Sequence, residues 1–256
     1  MRARAVITLV LSLLLGACAS TTSNINQSAN AQKAAADNVQ LGSFFLQKGE
    51  YEFALDKLNK ALAFDPDYAP AHTVLGTLYE RIGKQENAGV HYLRAAELSP
   101  DDGDTQNNYG TWLCLHGRGE KADPYFQSAI NNPFYRTPGV ALTNAGSCML
   151  SIGKVDKGET YLRKALEYNA DNVNALYLLA DNQYRKENYL GARAFLQRYE
   201  AVGETTSTSL MLGYFIEQGL GDRKSASRYK SEIHRRFPDS PEAKQLQVIN
   251  NNEPAN

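Results

Sequence analysis

The chain has 256 residues, with 27 Lys and Arg against 28 Asp and Glu, 43% hydrophobic and 21% charged residues, and three cysteines. A formal net charge of −1 leaves no basic excess to track a nucleic-acid backbone. The length suits one sizeable domain or an array of repeats.

The chain opens with Arg2 and Arg4, an apolar run from Ala5 to Leu15, and then Gly16-Ala17-Cys18. A cationic start, a short apolar stretch and a small-residue exit make a processed leader, and the run is too short to span a bilayer. The segment resembles a bacterial lipoprotein signal peptide, in which Cys18 becomes the acylated first residue. An ordinary secretory signal is the other reading. Residues 1–17 then leave the mature chain, so 239 of the 256 residues remain, with 25 basic against 28 acidic groups. Residues 18–34 follow as a polar, short-chained flexible tether behind the lipidated cysteine.

Next comes a repeat with a 34-residue offset: Leu41-Gly42…Phe45, Leu75-Gly76…Tyr79 and Tyr109-Gly110…Leu113. Each copy carries a turn glycine (Gly49, Gly83, Gly117), an alanine (Ala54, Ala88, Ala122), a large apolar residue (Leu58, Tyr92, Phe126) and a second alanine (Ala61, Ala95, Ala129). Pro66, Pro100 and Pro133 close them. Small residues let antiparallel helices approach, larger ones at three- and four-residue spacing fill the seam, and proline stops the second helix. The glycine in the first helix is expected to sit against the alanine near the start of the second.

Less regular copies follow around Ala145-Gly146, Leu179-Ala180 and Leu212-Gly213, with a longer crossing at Phe134 to Pro138. A last helix starts near Ser240-Pro241-Glu242, where serine offers a cap and proline suits the first turn. The pattern resembles the tetratricopeptide repeat. The expected fold is all-α: a superhelix, or α-solenoid, of six helix pairs plus a C-terminal capping helix over residues 35–249. The repeats fall at 35–68, 69–102, 103–138, 139–172, 173–205 and 206–239, and residues 250–256 form a disordered tail.

No Gly-rich phosphate loop, Gly-x-Ser-x-Gly elbow or Cys-x-x-Cys pair occurs. His72, His91, His116 and His234 fall at unrelated repeat positions and are not expected to converge on a metal. The expectation is a non-enzyme with no metal, no cofactor, no nucleic-acid partner and no small-molecule substrate. The basic stretch Arg223 to Arg236 reads as a solvated helix face, being diluted by Asp222, Glu232 and Asp239.

Cys114 and Cys148 fall on neighbouring first helices of repeats three and four, in an oxidising compartment, so they form either a disulfide or two buried thiols. The concave face of such an array is lined by Val39, Ser43 and Leu46, then Thr73, Thr77, Glu80 and Arg81, then Asn107 and Thr111. Asn174, Tyr177, Asp181, Tyr184 and Arg185 follow, then Leu210 and Tyr214. Tyrosine, arginine and asparagine are common carriers of interface energy, so this set reads as a partner-binding groove. Around Phe44, Phe45 and Phe53 the first repeat is unusually apolar. Either that patch receives a partner segment or residues 29–36 cap it.

The leader, six such repeats, and the passages Asn107-Asn108-Tyr109-Gly110-Thr111-Trp112-Leu113-Cys114, Asn131-Asn132-Pro133…Tyr135…Pro138 and Asn144…Gly146…Cys148 resemble the type IV pilus biogenesis/stability lipoproteins, the PilF/PilW family. The resemblance implies a pilotin: a lipoprotein anchored on the periplasmic face of the outer membrane that brings the secretin subunit there and supports its ring assembly. Ala19 after the lipidated cysteine suits outer-membrane sorting. A lipoprotein scaffold for cell-wall enzymes or outer-membrane protein assembly is the alternative.

Overall fold

The computed structural model describes residues 28–252. The leader, Cys18, Ala19 and the first part of the expected tether lie outside the described residues. All regular structure among those described is helical: α1 (28–48), α2 (Tyr51–Phe64), α3 (Ala69–Arg81), α4 (Gln85–Leu98), α5 (Gly103–Leu115), α6 (Gly119–Asn131), α7 (Pro138–Ser151), α8 (Val155–Tyr168), α9 (Val173–Arg185), α10 (Tyr189–Val202), α11 (Ser207–Gly219), α12 (Arg223–Arg236) and α13 (Pro241–Asn252). This is the all-α solenoid class, six helix pairs and a final helix. The helices fall into two units, one ending at Trp112 and one beginning at Leu113, so the division runs through α5.

In the first unit Ala54, Leu58, Leu75 and Leu78 are fully buried, with Val39, Phe45 and Leu46 packed against them. Residues 28–34, expected in the tether, are instead the first turns of α1. The alanines around position 35 favour helix, and Ala35 is buried against Ala61 and Ala71. That contact anchors the early turns. In the second unit the core gathers Leu176, Ala180, Leu196, Ile216, Ala226 and Ile233, then Ala243 and Leu246 of α13. Ser240 caps α13, its Oγ accepting the Ala243 N–H at 3.1 Å. The helix runs to Asn252, three residues into the expected tail.

Helix ends follow the proline rule. α2, α4, α6 and α12 stop two residues before Pro66, Pro100, Pro133 and Pro238, because a residue preceding proline disfavours helical backbone.

In the first, second, fourth and sixth pairs, the glycine of the first helix meets a larger residue than the expected alanine. A Cβ at Gly76 would stand 2.7 Å from the Tyr92 ring, and one at Gly146 would stand 2.6 Å from Leu162 Cγ. The large residue four places after the alanine lies flat over the bare Cα, and the alanines let the helix behind it come close. Small and large positions are thus complementary across a single seam.

The turns inside the pairs share one backbone device. Gly49, Gly83, Gly117, Gly153 and Gly221 all adopt left-handed φ between 70° and 78°. The next N–H then reaches a carbonyl five residues back, as Lys84 does to Tyr79 at 2.8 Å and Lys154 to Met149 at 2.8 Å. The fifth pair places Glu187 there, at φ 58°, the one non-glycine residue in this region among those described. A side chain in left-handed conformation costs about 1–2 kcal/mol. Glu187→Gly is therefore expected to gain about 1 kcal/mol, raising the melting temperature by roughly 2–4 °C. Differential scanning calorimetry checks it, and an unchanged or lower midpoint would count against the strain.

Candidate partner-binding surfaces

The first unit carries an aromatic face and a cavity side by side. Phe44 and Phe53 are 52% and 59% exposed, and Phe45 packs between them with both ring centroids 5.5 Å away. Leu41 and Tyr51 extend this exposed apolar surface. Tyr51 also lines a cavity of about 530 Å³, with Ser43, Leu46, Val74, Thr77 and Arg81. Ala35 covers the α2–α3 seam and leaves the two phenylalanines open. The patch and the capping contact therefore coexist.

Other groove candidates of this unit are engaged within it, and all but Asn107 are half-buried. Val39 packs against the core. Thr73 and Thr77 donate to backbone carbonyls one turn back at 3.2 and 3.3 Å, and Tyr92 donates to Glu80 at 2.6 Å. Burial, then that carboxylate, push the Tyr92 phenol far above its ordinary range. Asn107 is only 6% exposed, and Thr111 donates to its carbonyl at 2.8 Å. Asn107 is a core residue of α5, so it offers a partner little surface.

Two of the four histidines meet as a pair. His72 on α3 and His91 on α4 place their Nδ1 atoms 2.9 Å apart. His72 Nε2 lies 3.0 Å from the Pro66 carbonyl, which only accepts, so Nε2 carries the proton. His72 Nδ1 then accepts from the Nδ1–H of His91, and Tyr79 stacks on His91 at 5.3 Å. Different repeat positions coincide here because one helix hairpin folds them together. No group of three or more His, Cys, Asp or Glu that could hold a metal exists among the described residues.

Burial first, and the charge of His72 second, lower the His91 pKa to about 4. The unfolded chain takes up this proton near pH 6.5 and the folded chain only near pH 4, so the unfolded state binds more protons between those values. Stability is expected to fall as pH drops from about 6.5 towards 4, then to level off for this group. His91→Asn should flatten that part of the curve in urea titrations. A variant with the wild-type pH dependence would exclude the pair as the cause.

The second unit presents a trough. A cavity of about 370 Å³ is lined by Thr143, Asn144, Asn174, Tyr177, Tyr199 and Thr206, among others. Another of about 460 Å³ is lined by Ser151, Asp181, Asn182, Arg185 and Lys186. Ser147 and Leu178 border both, so the two adjoin. Tyr177 packs at a tilt against Tyr199, ring centroids 5.6 Å apart, and burial, then Asp181, raise its pKa. Asp181 and Arg185 pair at 2.7 Å. Of the candidates, Asn174, Tyr177, Asp181 and Arg185 are brought together here. Tyr184 instead wedges between Tyr189 and Phe215, at 6.0 and 6.1 Å. Tyr214 and Leu210 are each only 5% exposed and belong to the core. Ser147, Leu178, Thr206 and Thr208 line these cavities too, although they are outside the set that repeat spacing picked out.

Cys114 on α5 and Cys148 on α7 are joined by a disulfide within this unit, with Cα atoms 5.7 Å apart.

Profiles described as TPR repeat and Tetratricopeptide repeat match residues 42–83, 69–102 and 150–204. The chain is 28% identical over 210 residues to the type IV pilus assembly protein PilF of Pseudomonas aeruginosa, covering 82% of this chain and 83% of that one. An uncharacterized protein of Haemophilus influenzae is 32% identical over 166 residues, 64% of this chain and 91% of its own length. The crystal structure of PilW, a widely conserved type IV pilus biogenesis factor, superposes with a TM-score of 0.78 at 26% identity, covering 83% of this chain and 98% of that one.

Proposed function

We propose, from the premise that this chain belongs to the tetratricopeptide-repeat family of PilF and PilW, that it serves type IV pilus biogenesis as a non-enzymatic outer-membrane lipoprotein. It binds the pilus secretin subunit and promotes its localisation and multimerisation. The observation that carries this reading is the aromatic face of the first unit: Phe44 and Phe53 stand exposed beside a cavity. Large rings held in water without cover favour a partner that covers them.

The division of labour is physical. Acyl chains on Cys18, which lies outside the described residues, supply the membrane address, each buried methylene contributing about 0.8 kcal/mol. The helix pairs hold a preformed surface, so little ordering entropy opposes binding. Subunits gathered on one membrane then meet at raised effective concentration. No step forms or breaks a covalent bond.

The test pairs two variants. Phe44→Ala with Phe53→Ala is expected to keep the melting curve and to lose about tenfold or more in secretin capture by the purified protein, since buried aromatic anchors dominate such interfaces. Cys18→Ala should yield a folded, unanchored protein and secretin rings that are absent or in the wrong membrane. Undiminished capture by the double variant, normal outer-membrane rings with Cys18→Ala, or recovery of a cell-wall enzyme in place of the secretin would refute the reading.

A further inference from the structure

The two units carry opposite charge, and the positive excess sits on one helix. Between residues 28 and 112, 7 Lys and Arg face 12 Asp and Glu; between 113 and 252, 18 face 15. α12 alone holds Arg223, Lys224, Arg228, Lys230, Arg235 and Arg236 against the single carboxylate Glu232. Its apolar residues Ala226, Tyr229 and Ile233 are buried, which fixes the opposite face towards water.

On that face Lys224, Arg228 and Arg235 lie within one narrow stripe, at a helical period of 3.6, with exposed Ser231 between them. The stripe is about 16 Å long at 1.5 Å per residue. Arg235 pairs with Glu232 at 2.7 Å, while Arg223, Lys224, Arg228 and Arg236 make no ion pair among the described residues. Three neighbouring carboxylates are already engaged. Glu217 is held by Arg193, Glu200 accepts from Tyr229 at 2.9 Å, and Asp222 caps the helix by accepting from Ser225 at 3.0 Å. Two of the guanidiniums are steadied over rings, Arg228 on Tyr229 at 5.3 Å and Arg236 on Phe237 at 5.4 Å. Such support lowers the entropy lost when they bind.

We infer that the exposed face of α12 is a docking strip for an acidic polypeptide segment, one bearing several carboxylates over the length of the stripe. Charge complementarity selects the partner, and the predominance of arginine suits planar carboxylates taken bidentately. A membrane surface fits less well. Every apolar side chain of α12 faces the core, so none is left to enter a bilayer, and serines separate the cations. The strip lies on a different unit from the aromatic face and stands apart from the secretin reading.

The experiment measures fluorescence anisotropy of a labelled dodecapeptide alternating Glu and Ser, beside its Gln–Ser counterpart, with the full chain. The Glu peptide is expected to bind about tenfold tighter or more, as several unpaired cations engage together, and to weaken as ionic strength rises. The variant Lys224→Glu, Arg228→Glu, Arg235→Glu should abolish that difference with an unchanged circular-dichroism melt, because surface changes of this kind perturb folding little. Equal affinity for both peptides, or a preference that survives the charge reversals, overturns the inference. So does binding only to phosphatidylglycerol vesicles, which assigns the strip to a membrane, or salt-sensitive self-association without peptide binding, which assigns it to the acidic unit of a second copy.

Discussion

In oxidising buffer, replacing Cys114 with Ser and Cys148 with Ala is expected to lower folding stability by about 3–4 kcal/mol, the chain-entropy value for a closed loop of this size. The two cysteines are 34 residues apart and join α5 to α7. Between them run all of α6 and the irregular crossing from Asn132 to Thr137, a segment stopped by Pro133 and restarted at Pro138. That crossing is where the regular repeat is interrupted, so the bond restrains the part of the second unit with least periodic support. At roughly 2–4 °C for each kcal/mol, the melting temperature should fall by about 6–16 °C. In reducing buffer the wild type should melt with the variant. Equal melting of the wild type with and without reductant would show that the bond carries no stability.

Gly146→Val should cost about 3 kcal/mol, at the upper end for forcing extra volume into a packed interior. Gly146 lies one repeat beyond the regular copies, and its place in the seam is dictated by two contacts. A Cβ there would meet Leu162 Cγ at 2.6 Å and the Gly158 carbonyl at 3.1 Å. Leu162 is fully buried and has nowhere to retreat, and a carbonyl of α8 moves only with its helix. A branched side chain must therefore push α7 from α8. Leu162→Ala in the same chain opens space and is expected to recover part of the loss, giving a coupling of about 1 kcal/mol or more in a double-mutant cycle. Strict additivity of the two changes, or a Gly146→Val chain as stable as wild type, would show that the seam is looser than described.

The ends of the helices were legible because their causes are local. Pro66, Pro100 and Pro133 stop a helix whatever surrounds it, and Gly49, Gly83 and Gly117 relieve a backbone angle that exists in the turn itself. Glu187 was not legible as a turn residue, since nothing in its own chemistry asks for left-handed backbone; the seams on either side of that turn impose it. The early turns of α1 were missed for a related reason. Polar spacers read as a tether until Ala35 is seen against Ala61 and Ala71.

Groove residues divide the same way. Asn174, Tyr177, Asp181 and Arg185 line the trough, while Asn107, Leu210 and Tyr214 are buried although their repeat positions are equivalent by spacing. Spacing assigns a side chain to a side of its own helix. Whether that side meets solvent depends on what the neighbouring helices contribute, and this changes from pair to pair as the copies diverge.

What the sequence alone determined was a set of antiparallel helix pairs, because the residues that permit close approach and those that break helices act within a few positions of themselves. Tertiary structure decided which cations of α12 lack a partner, which histidines share a proton and which aromatic rings remain in water. Each of these is a relation between residues far apart in the chain, settled only when the helices carrying them are packed.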